Sequence, residues 1–428
     1  MQNHPLRVAL HNEIHARPPE PLRSPLLVSH VVMLLQESER EACRMHLAQW
    51  LQNHQLPPPA PDTNHLRAEV AGVRVRWELH TEFASYTFFR PAEDAPNDGV
   101  STAMQALPEA WLATLPGACL CKLHLTVADT AHAALAERVR RIFRQDALAG
   151  SSVADGQAEI FTDFVLQPDD SSHALVLDKG LSPRRLGRLV QRLLEIETYR
   201  MGALLGLPVA RDSGVTLAHG EAELALLAKL IRTAKPEDEA QLLDRLTRLA
   251  GEIEGQYAAT HSRFSASSAY FELVRKRIAD IAETRLDNLQ SIRDFMDRRL
   301  TPAMNTCDWV VRRQQGLSER ISRMSHLLRT RVEIEQQQSS RDVLTAMNER
   351  QALQLRLQRT VEGLSVAAIT YYVVGLIHYL AEGARAYGLA LETAWVTGVA
   401  VPVVALAAWG GLRLLHKRLL AQPGDHGA

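Results

Sequence analysis

The clearest feature of the hydropathy pattern is a pair of long apolar runs in the last quarter of the sequence. Residues 363–381 (GLSVAAITYYVVGLIHYLA) and 393–412 (TAWVTGVAVPVVALAAWGGL) contain no formally charged side chain. About 20 helical residues, each rising about 1.5 Å, cross a hydrocarbon core about 30 Å thick. The pattern therefore predicts a two-helix transmembrane hairpin over residues 362–413. A buried hairpin of a soluble protein is the alternative.

The segment before the hairpin, residues 181–361, has the three- and four-residue apolar spacing that is typical of amphipathic helices. One such run covers residues 271–300, with Arg285 as its interruption and Ser267 as a cap. Pro302 predicts a break and the start of a further helix. We expect a long helical, coiled-coil-like stalk, which either holds a soluble domain clear of the membrane or transmits motion into it.

The first 180 residues alternate between strand-like and helix-like patterns. Strands are predicted at residues 73–80, 84–90, 120–127, 158–167 and 173–179, with a hairpin between the first two. Helices are predicted at residues 28–52 and 131–148. The fold expected is thus an α+β cytosolic domain (1–180), a helical region and stalk (181–361) and the transmembrane hairpin, mainly α overall.

Composition narrows the possible functions. The 428 residues include 48 Lys and Arg against 49 Asp and Glu, so the formal net charge is −1. This balance excludes a strongly basic nucleic-acid binder, and no nucleic-acid partner is expected. The four cysteines form no CxxC pair, and Cys119 and Cys121 are expected on one face of a strand as reduced thiols.

The distribution of basic residues predicts how the hairpin is oriented. The basic side chains that flank the two spans on their outer sides are Arg350, Arg356, Arg359, Arg413, Lys417 and Arg418. The segment between the spans carries only Arg385. Because positive residues stay inside, both termini, with a basic tail at 414–428, are predicted on the cytoplasmic side of a bacterial inner membrane. The first 21 residues have no apolar core, so no cleavable signal peptide is expected.

Several polar and small residues interrupt the spans. Thr370, Tyr371, Val374 and His378 occupy adjacent helical positions in the first span and would line a pore if the protein were a channel. In the second span, small residues recur four apart and permit close helix packing: Ala394, Gly398, Ala407 and Gly411. Both features favour self-association, and polar packing and a water path remain alternatives.

Catalytic motifs are absent from the sequence, so we expect no enzyme and no cofactor. The one partial match is HNEIH, in which His11, Glu13 and His15 are weak candidates for a metal site. In a zincin, glutamate follows the first histidine directly on a helix that continues, whereas Asn12 stands there in this chain.

Three segments carry a family resemblance that spans nearly the whole chain. They are HPLRVALHNEIHARPPEPLRSPLLVSH (4–30), LLRTRVEIEQQQ (327–338) and LQLRLQRTVEGLSVAAITYYVVGLIHYLAEG (353–383). They resemble the hallmarks of a family of bacterial, predicted membrane-anchored proteins built on a domain of unknown function. The resemblance implies a location and an architecture, and no activity.

A looser likeness concerns the order of segments. A cytosolic domain, a stalk, two spans and a basic tail resemble the CorA-type divalent-cation channels, which are pentamers. Their Gly-Met-Asn signature at the end of the first span is missing from this chain, where the corresponding stretch reads His378-Tyr379-Leu380-Ala381-Glu382. The function we expect is therefore a self-associating membrane-anchored scaffold or envelope protein, with a CorA-like channel as the alternative.

Overall fold

The computed structural model describes residues 3–8, 11, 19–60, 63–92, 101–129, 139, 141–386 and 392–420. It divides into two compact units. One, called the body, comprises Met1–Ala234 and Gln241–His326, and so continues past residue 180. The other, called the anchor unit, comprises Lys235–Ala240 and Leu327–Ala428.

The body is built on a mixed sheet of nine described strands. These are β1 (Leu26–Leu34), β2 (His65–Val70), β3 (Val73–Leu79), β4 (Phe83–Pro91), β5 (Ala118–Asp129), β6 (Ala149–Val153), β7 (Ala158–Thr162), β8 (Ser172–Asp178) and β9 (Thr284–Arg285). Their order across the sheet is β2-β3-β4-β1-β5-β8-β7-β6-β9. Neighbouring strands are antiparallel except β5 and β8, which are parallel. The predicted hairpin of β3 and β4 is confirmed.

The helices include α1 (Glu39–Asn53), α2 (Glu109–Leu112), α3 (Pro183–Leu204), α4 (Gly206–Thr233), α5 (Pro236–Asp280), α6 (Ile292–Ala386) and α7 (Thr393–Leu420). A 3₁₀ turn covers Ala103–Ala106. A mixed sheet followed by long helices is the fold class that the sequence predicts. Half of the predicted helix at 131–148 lies outside the described residues, and its end is wrong, because residues 143–148 form no helix.

The prediction of helix from residue 28 onward is wrong at its start, because this stretch forms β1. Val28, Val31 and Val32 are β-branched and buried, and β1 is covered on both faces. Such a continuous apolar run is compatible with a central strand as well as with a buried helix, so periodicity alone does not distinguish the two structures. The helical pattern itself begins later, at α1.

The two cysteines of β5 do not share a face, contrary to the prediction. A β-bulge shifts the register between β1 and β5, so that Val32 pairs with Cys121 and Met33 with Cys119. Adjacent residues of β1 point to opposite faces, and their partners follow them. Cys121 is therefore buried, whereas Cys119 is exposed.

Helix α3 covers one face of the sheet. It begins, as predicted, with Ser182 before Pro183 at the first turn. Gly187 lets the preceding chain cross closely, since a Cβ at this position would lie 1.7 Å from the carbonyl oxygen of Glu20. Further along α3, Thr198 and Glu197 bond to side chains of the sheet, so the helix is attached by polar contacts as well as by apolar packing.

The predicted helix over residues 271–300 is interrupted, and Ser267 lies inside α5 rather than at a cap. Helix α5 ends at Asp280, and the chain joins the sheet through β9 before α6 begins. The Ser151 hydroxyl donates to Glu283 at 2.8 Å and accepts the backbone N–H of Ile292 at 3.2 Å. The chain between the two helices is thus fixed to β6 by a side chain that is distant in sequence.

The predicted break at Pro302 is also wrong, because α6 continues through it. An interior proline removes one backbone hydrogen bond and costs about 3 kcal/mol. Leu300, Ala303 and Met304 beside it are buried, and burial of an apolar side chain contributes about 1.5–3 kcal/mol. Packing of this turn against the body therefore offsets the loss.

Candidate functional site

A row of polar side chains crosses the sheet face opposite α3. Ser29 of β1 pairs with His124 of β5, and His124 pairs with His173 of β8. Because cross-strand partners share a face, the three side chains stand side by side. The Ser29 hydroxyl lies 2.8 Å from Nδ1 of His124, and the two imidazole centroids are 5.4 Å apart.

Asp169, in the segment between β7 and β8, lies next to this row of side chains. Its Oδ1 accepts the Ser171 hydroxyl at 2.6 Å, and its Oδ2 lies 3.7 Å from Nε2 of His124. Lys122 donates to the backbone carbonyl of Asp169, and its Nζ lies 4.0 Å from the carboxylate. Asp169 is therefore held by the Ser171 hydroxyl next to β8 and by the Lys122 ammonium group of β5, with the His124 imidazole beside it.

These side chains open into a cavity of about 780 Å³. One part of its wall is polar, with Lys122, His124, His173 and Asp169. Another part is largely apolar: Met104, Leu107, Leu112, Ile142 and Pro168. The remaining lining residues are Thr102, Gln105, Glu109, Arg141 and Gln167. A volume of this size is typical of small-molecule sites, which are about 300–1,000 Å³.

Both histidines of the cavity are held neutral. Burial, followed by the neighbouring His173, lowers the pKa of His124 to about 4. Burial lowers the pKa of His173 as well, although Asp169 and Asp163 act in the opposite direction. Burial acts to raise the pKa of Asp169, but its hydrogen bonds from Ser171, together with Lys122, outweigh that effect and lower it. The site therefore has one carboxylate and two uncharged imidazoles near neutral pH.

The hydrogen-bond partners indicate which ring nitrogen carries the proton. The Ser171 hydroxyl gives its hydrogen to Asp169, so it accepts one from Nε2 of His173 at 3.2 Å. Ser29 accepts the backbone N–H of Met104 at 3.1 Å, and we infer that its own hydrogen goes to Nδ1 of His124, which lies 2.8 Å away. His124 then carries its proton on Nε2, and 3.7 Å to Asp169 is too long for a hydrogen bond.

Ser29, His124 and Asp169 include the residue types of a hydrolase triad but not its arrangement. Ser29 is 0% exposed in the middle of β1, so a substrate carbonyl has no access to its hydroxyl. A nucleophile must reach the reacting atom at about 3 Å. The geometry is suited to holding a ligand on His124 and Lys122 rather than to attack by Ser29.

None of these residues was predicted as a site residue from the sequence. Ser29, His124 and His173 are far apart in the chain, and only strand pairing brings them together. A local signal was present, since each is a polar residue in a strand that is mostly apolar. Such positions identify buried polar groups, which need partners.

The residues predicted to line a pore lie in the anchor unit. Thr370, Val374 and His378 are half-buried, whereas Tyr371 is 77% exposed. Nδ1 of His378 lies 3.0 Å from the hydroxyl of Thr397 in α7. Since that hydroxyl donates to the Thr393 carbonyl at 2.8 Å, it accepts the Nδ1 proton of His378. The pore-lining assignment stays a prediction.

The small residues predicted to pack helices face outward from a single chain. These are Ala394, Gly398, Ala407 and Gly411, whose side-chain positions are exposed or half-buried. A Cβ built on Gly398 or Gly411 would meet no atom within 4 Å. Their role in packing also stays a prediction.

The weak metal candidates are only partly covered by the structure. His11 is exposed, and Glu13 and His15 lie outside the described residues. Among the residues that the structure describes, no group of three or more His, Cys, Asp or Glu side chains is arranged to hold a metal ion.

The fold and these sites define a class of protein with an α+β body and two apolar helices. Stretches of α6 and α7 are long and apolar enough to cross a membrane, and they are 11% and 0% buried. The chain belongs to the family described as protein of unknown function (DUF3422), whose family model matches residues 2–419. No curated protein matches the chain.

Proposed function

We propose that this protein is anchored in the bacterial inner membrane by a hairpin of α6 and α7, with the body in the cytoplasm. The observation that carries the proposal is that two helices long and apolar enough to cross a membrane are only 11% and 0% buried. Some of the polar groups on the first of them are satisfied within the helix. The hydroxyls of Ser365 and Thr370 donate to the carbonyls of Val361 and Val366 at 2.8 and 2.7 Å. In hydrocarbon, where water is absent, each unpaired polar group costs several kcal/mol.

The outward surface of the two helices also fits a lipid environment. The large apolar side chains exposed on this surface include Leu364, Ile369, Leu376, Leu380, Val399, Val403 and Leu406. A soluble protein rarely exposes a contiguous apolar surface of this kind. Trp395 and Trp409 lie near the two ends of α7's apolar run, where indole rings favour the membrane interface.

We further propose that copies of the chain associate within the membrane. Tyr371 and Tyr372 are 77% and 71% exposed near the middle of the first span. A phenolic hydroxyl at this depth is stabilised by a hydrogen-bond partner, which a second copy would supply. The role that we propose for this assembly is that of a scaffold or envelope-associated protein, which binds and positions other molecules rather than catalysing a reaction.

The CorA-like channel rests on the order of segments alone. His378, the most polar of its proposed pore residues, is bonded to Thr397 within one chain. This contact within the anchor therefore provides a hydrogen-bond partner for His378 without a pore. A pentamer in nanodiscs that conducts Mg²⁺ would favour the channel over the scaffold.

Cysteine labelling in intact cells tests the anchor and its orientation. A thiol introduced by Ala386→Cys, between the two spans, is expected to react with a membrane-impermeant maleimide without permeabilisation. Ala352→Cys, in the exposed part of α6 before the first span, is the matched control and is expected to react only after permeabilisation.

The unmodified protein gives the background from its four native cysteines. Reaction of Ala386→Cys only after permeabilisation would contradict the proposed orientation. Recovery of the unmodified protein in the soluble fraction after lysis would contradict the anchor itself.

A further inference from the structure

The proposed anchor does not use the cavity of the body, which has a polar end and an apolar wall. We infer that this cavity binds an amphiphilic organic monocarboxylate, with the carboxylate between Lys122 and His124 and the apolar part against Leu112 and Ile142. This binding does not depend on the membrane anchor.

The polar end has a surplus of hydrogen-bond donors. The ammonium group of Lys122 has three N–H donors, and its contacts with the carbonyl and carboxylate of Asp169 use at most two of them. His124 presents an Nε2 proton that Asp169, at 3.7 Å, is too distant to accept. Donors that converge on one region favour an acceptor, and a charged acceptor forms the stronger bonds.

The placement of His124 makes this end of the cavity a built site. Its side chain is only 8% exposed, and Ser29 fixes the ring through a 2.8 Å contact. Ser29 is itself held by the backbone N–H of Met104. The fold thus orients the imidazole without a ligand.

The formal charges around the cavity sum to zero, which limits the ligand to at most one negative charge. Arg141 and Lys122 supply two positive charges to the lining, and Asp169 and Glu109 supply two negative ones. Asp169 would repel a phosphate dianion more strongly than a monocarboxylate, because the dianion carries more negative charge. Inorganic phosphate is therefore expected to bind poorly.

The apolar wall specifies the rest of the ligand. Met104, Leu107, Leu112, Ile142 and Pro168 line the cavity beside the polar end. Burying apolar ligand surface contributes about 25 cal/mol per Å². A fully polar organic acid would leave this wall unused, so the ligand is expected to carry a hydrocarbon or aromatic part.

Isothermal titration calorimetry on the full-length protein in nanodiscs tests this inference, with empty nanodiscs as the blank. The probe is 3-phenylpropionate, and its neutral amide and inorganic phosphate are the comparison ligands. We expect one 3-phenylpropionate per chain, at least about tenfold weaker binding of the amide, and no competition by phosphate.

Two variants locate the site. Lys122→Met is expected to weaken 3-phenylpropionate binding by at least about tenfold, because it removes the ammonium donor. Lys179→Met is the matched control: this lysine follows β8, pairs with Glu159 and does not line the cavity. It is expected to bind like the unmodified protein.

Ile142→Glu provides a second variant at the apolar wall. Ile142 is half-buried and also packs against the hydrophobic core, so thermal unfolding first checks that the variant is folded; in the folded variant the new carboxylate would repel the probe. Equal binding of acid and amide, unchanged affinity in Lys122→Met, or no heat from 3-phenylpropionate at millimolar concentration would overturn the inference. Competition by phosphate would show that the cavity binds an inorganic oxyanion rather than an organic monocarboxylate.

Discussion

His30 lies between the sheet and α3, and its two ring nitrogens bridge two threonines. Nδ1 is 2.9 Å from the Thr87 hydroxyl, and Nε2 is 2.9 Å from the Thr198 hydroxyl. Thr198 donates its hydrogen to the Leu194 carbonyl, so Nε2 of His30 donates to Thr198 and Nδ1 accepts from Thr87. The neutral ring is fully satisfied, and a second proton would disrupt the bond to Thr87.

This residue predicts an acid sensitivity of the body. Burial, followed by Arg76, lowers the pKa of His30 to about 3, whereas an unfolded histidine titrates near 6.5. Below pH 6.5 the unfolded chain binds more protons at this group than the folded chain does. Each unit by which the pH is lowered therefore reduces the free energy of unfolding by about 1.4 kcal/mol. His30→Gln should flatten the decline by about 2 kcal/mol between pH 6.5 and pH 5.

Urea denaturation of the full-length protein at several pH values measures this difference. His124 contributes a decline of the same sign in both proteins, since its pKa is also lowered. Comparison of the slopes therefore isolates His30. An identical slope in the two proteins would contradict a neutral His30 bonded to Thr87 and Thr198.

At the scale of elements, the segment before β1 contacts α3 through its backbone and β2 through a carboxylate. The carboxylate of Glu20 pairs with Arg67 of β2 at 3.1 Å. The backbone N–H of Leu22 donates to the Pro183 carbonyl at 2.9 Å. The segment before β1 thus connects the sheet edge to the first turn of α3, and it crosses the helix at Gly187.

Gly187→Ala should destabilise the body by about 2 kcal/mol or more, because its Cβ would lie 1.7 Å from a backbone oxygen. Gly214→Ala in α4 is the matched control, since no atom lies within 4 Å of its Cβ position. That substitution should stabilise by about 0.5–1 kcal/mol through helix propensity. Thermal unfolding of both variants gives the comparison, and equal effects would refute the close crossing.

The sequence predicted those elements whose signal is local. The two apolar runs of the hairpin and the Ser182-Pro183 start of α3 were readable from adjacent residues. The partners of β1 were not, because β4 and β5 follow much later in the chain. The cavity was missed for the same reason: His124 and His173 meet only through the parallel pairing of β5 and β8.

At the scale of the whole molecule, exposed small residues in the second span make assembly testable. Gly398→Leu is expected to reduce the mass of the protein in nanodiscs to that of one chain, because leucine blocks a close helix approach. Val399→Leu, at the neighbouring exposed position, is the matched control and should leave assembly unchanged.

Light scattering coupled to size exclusion measures the assembled mass. Membrane insertion of Gly398→Leu is checked by sedimentation with the membrane fraction, so that loss of assembly is separated from loss of the anchor. Full assembly of this variant would show that Gly398 lies outside the interface between copies.

The position of β1 has a consequence for how the body is made. β1 is the first in sequence of the strands that the structure describes, yet it is hydrogen-bonded on both sides, to β4 and to β5. During synthesis it leaves the ribosome with neither neighbour available, and its second edge stays without pairing until β5 follows. We therefore expect this hydrophobic strand to be a binding target for chaperones in that state, and we expect the late pairing of its second edge to slow folding of the body.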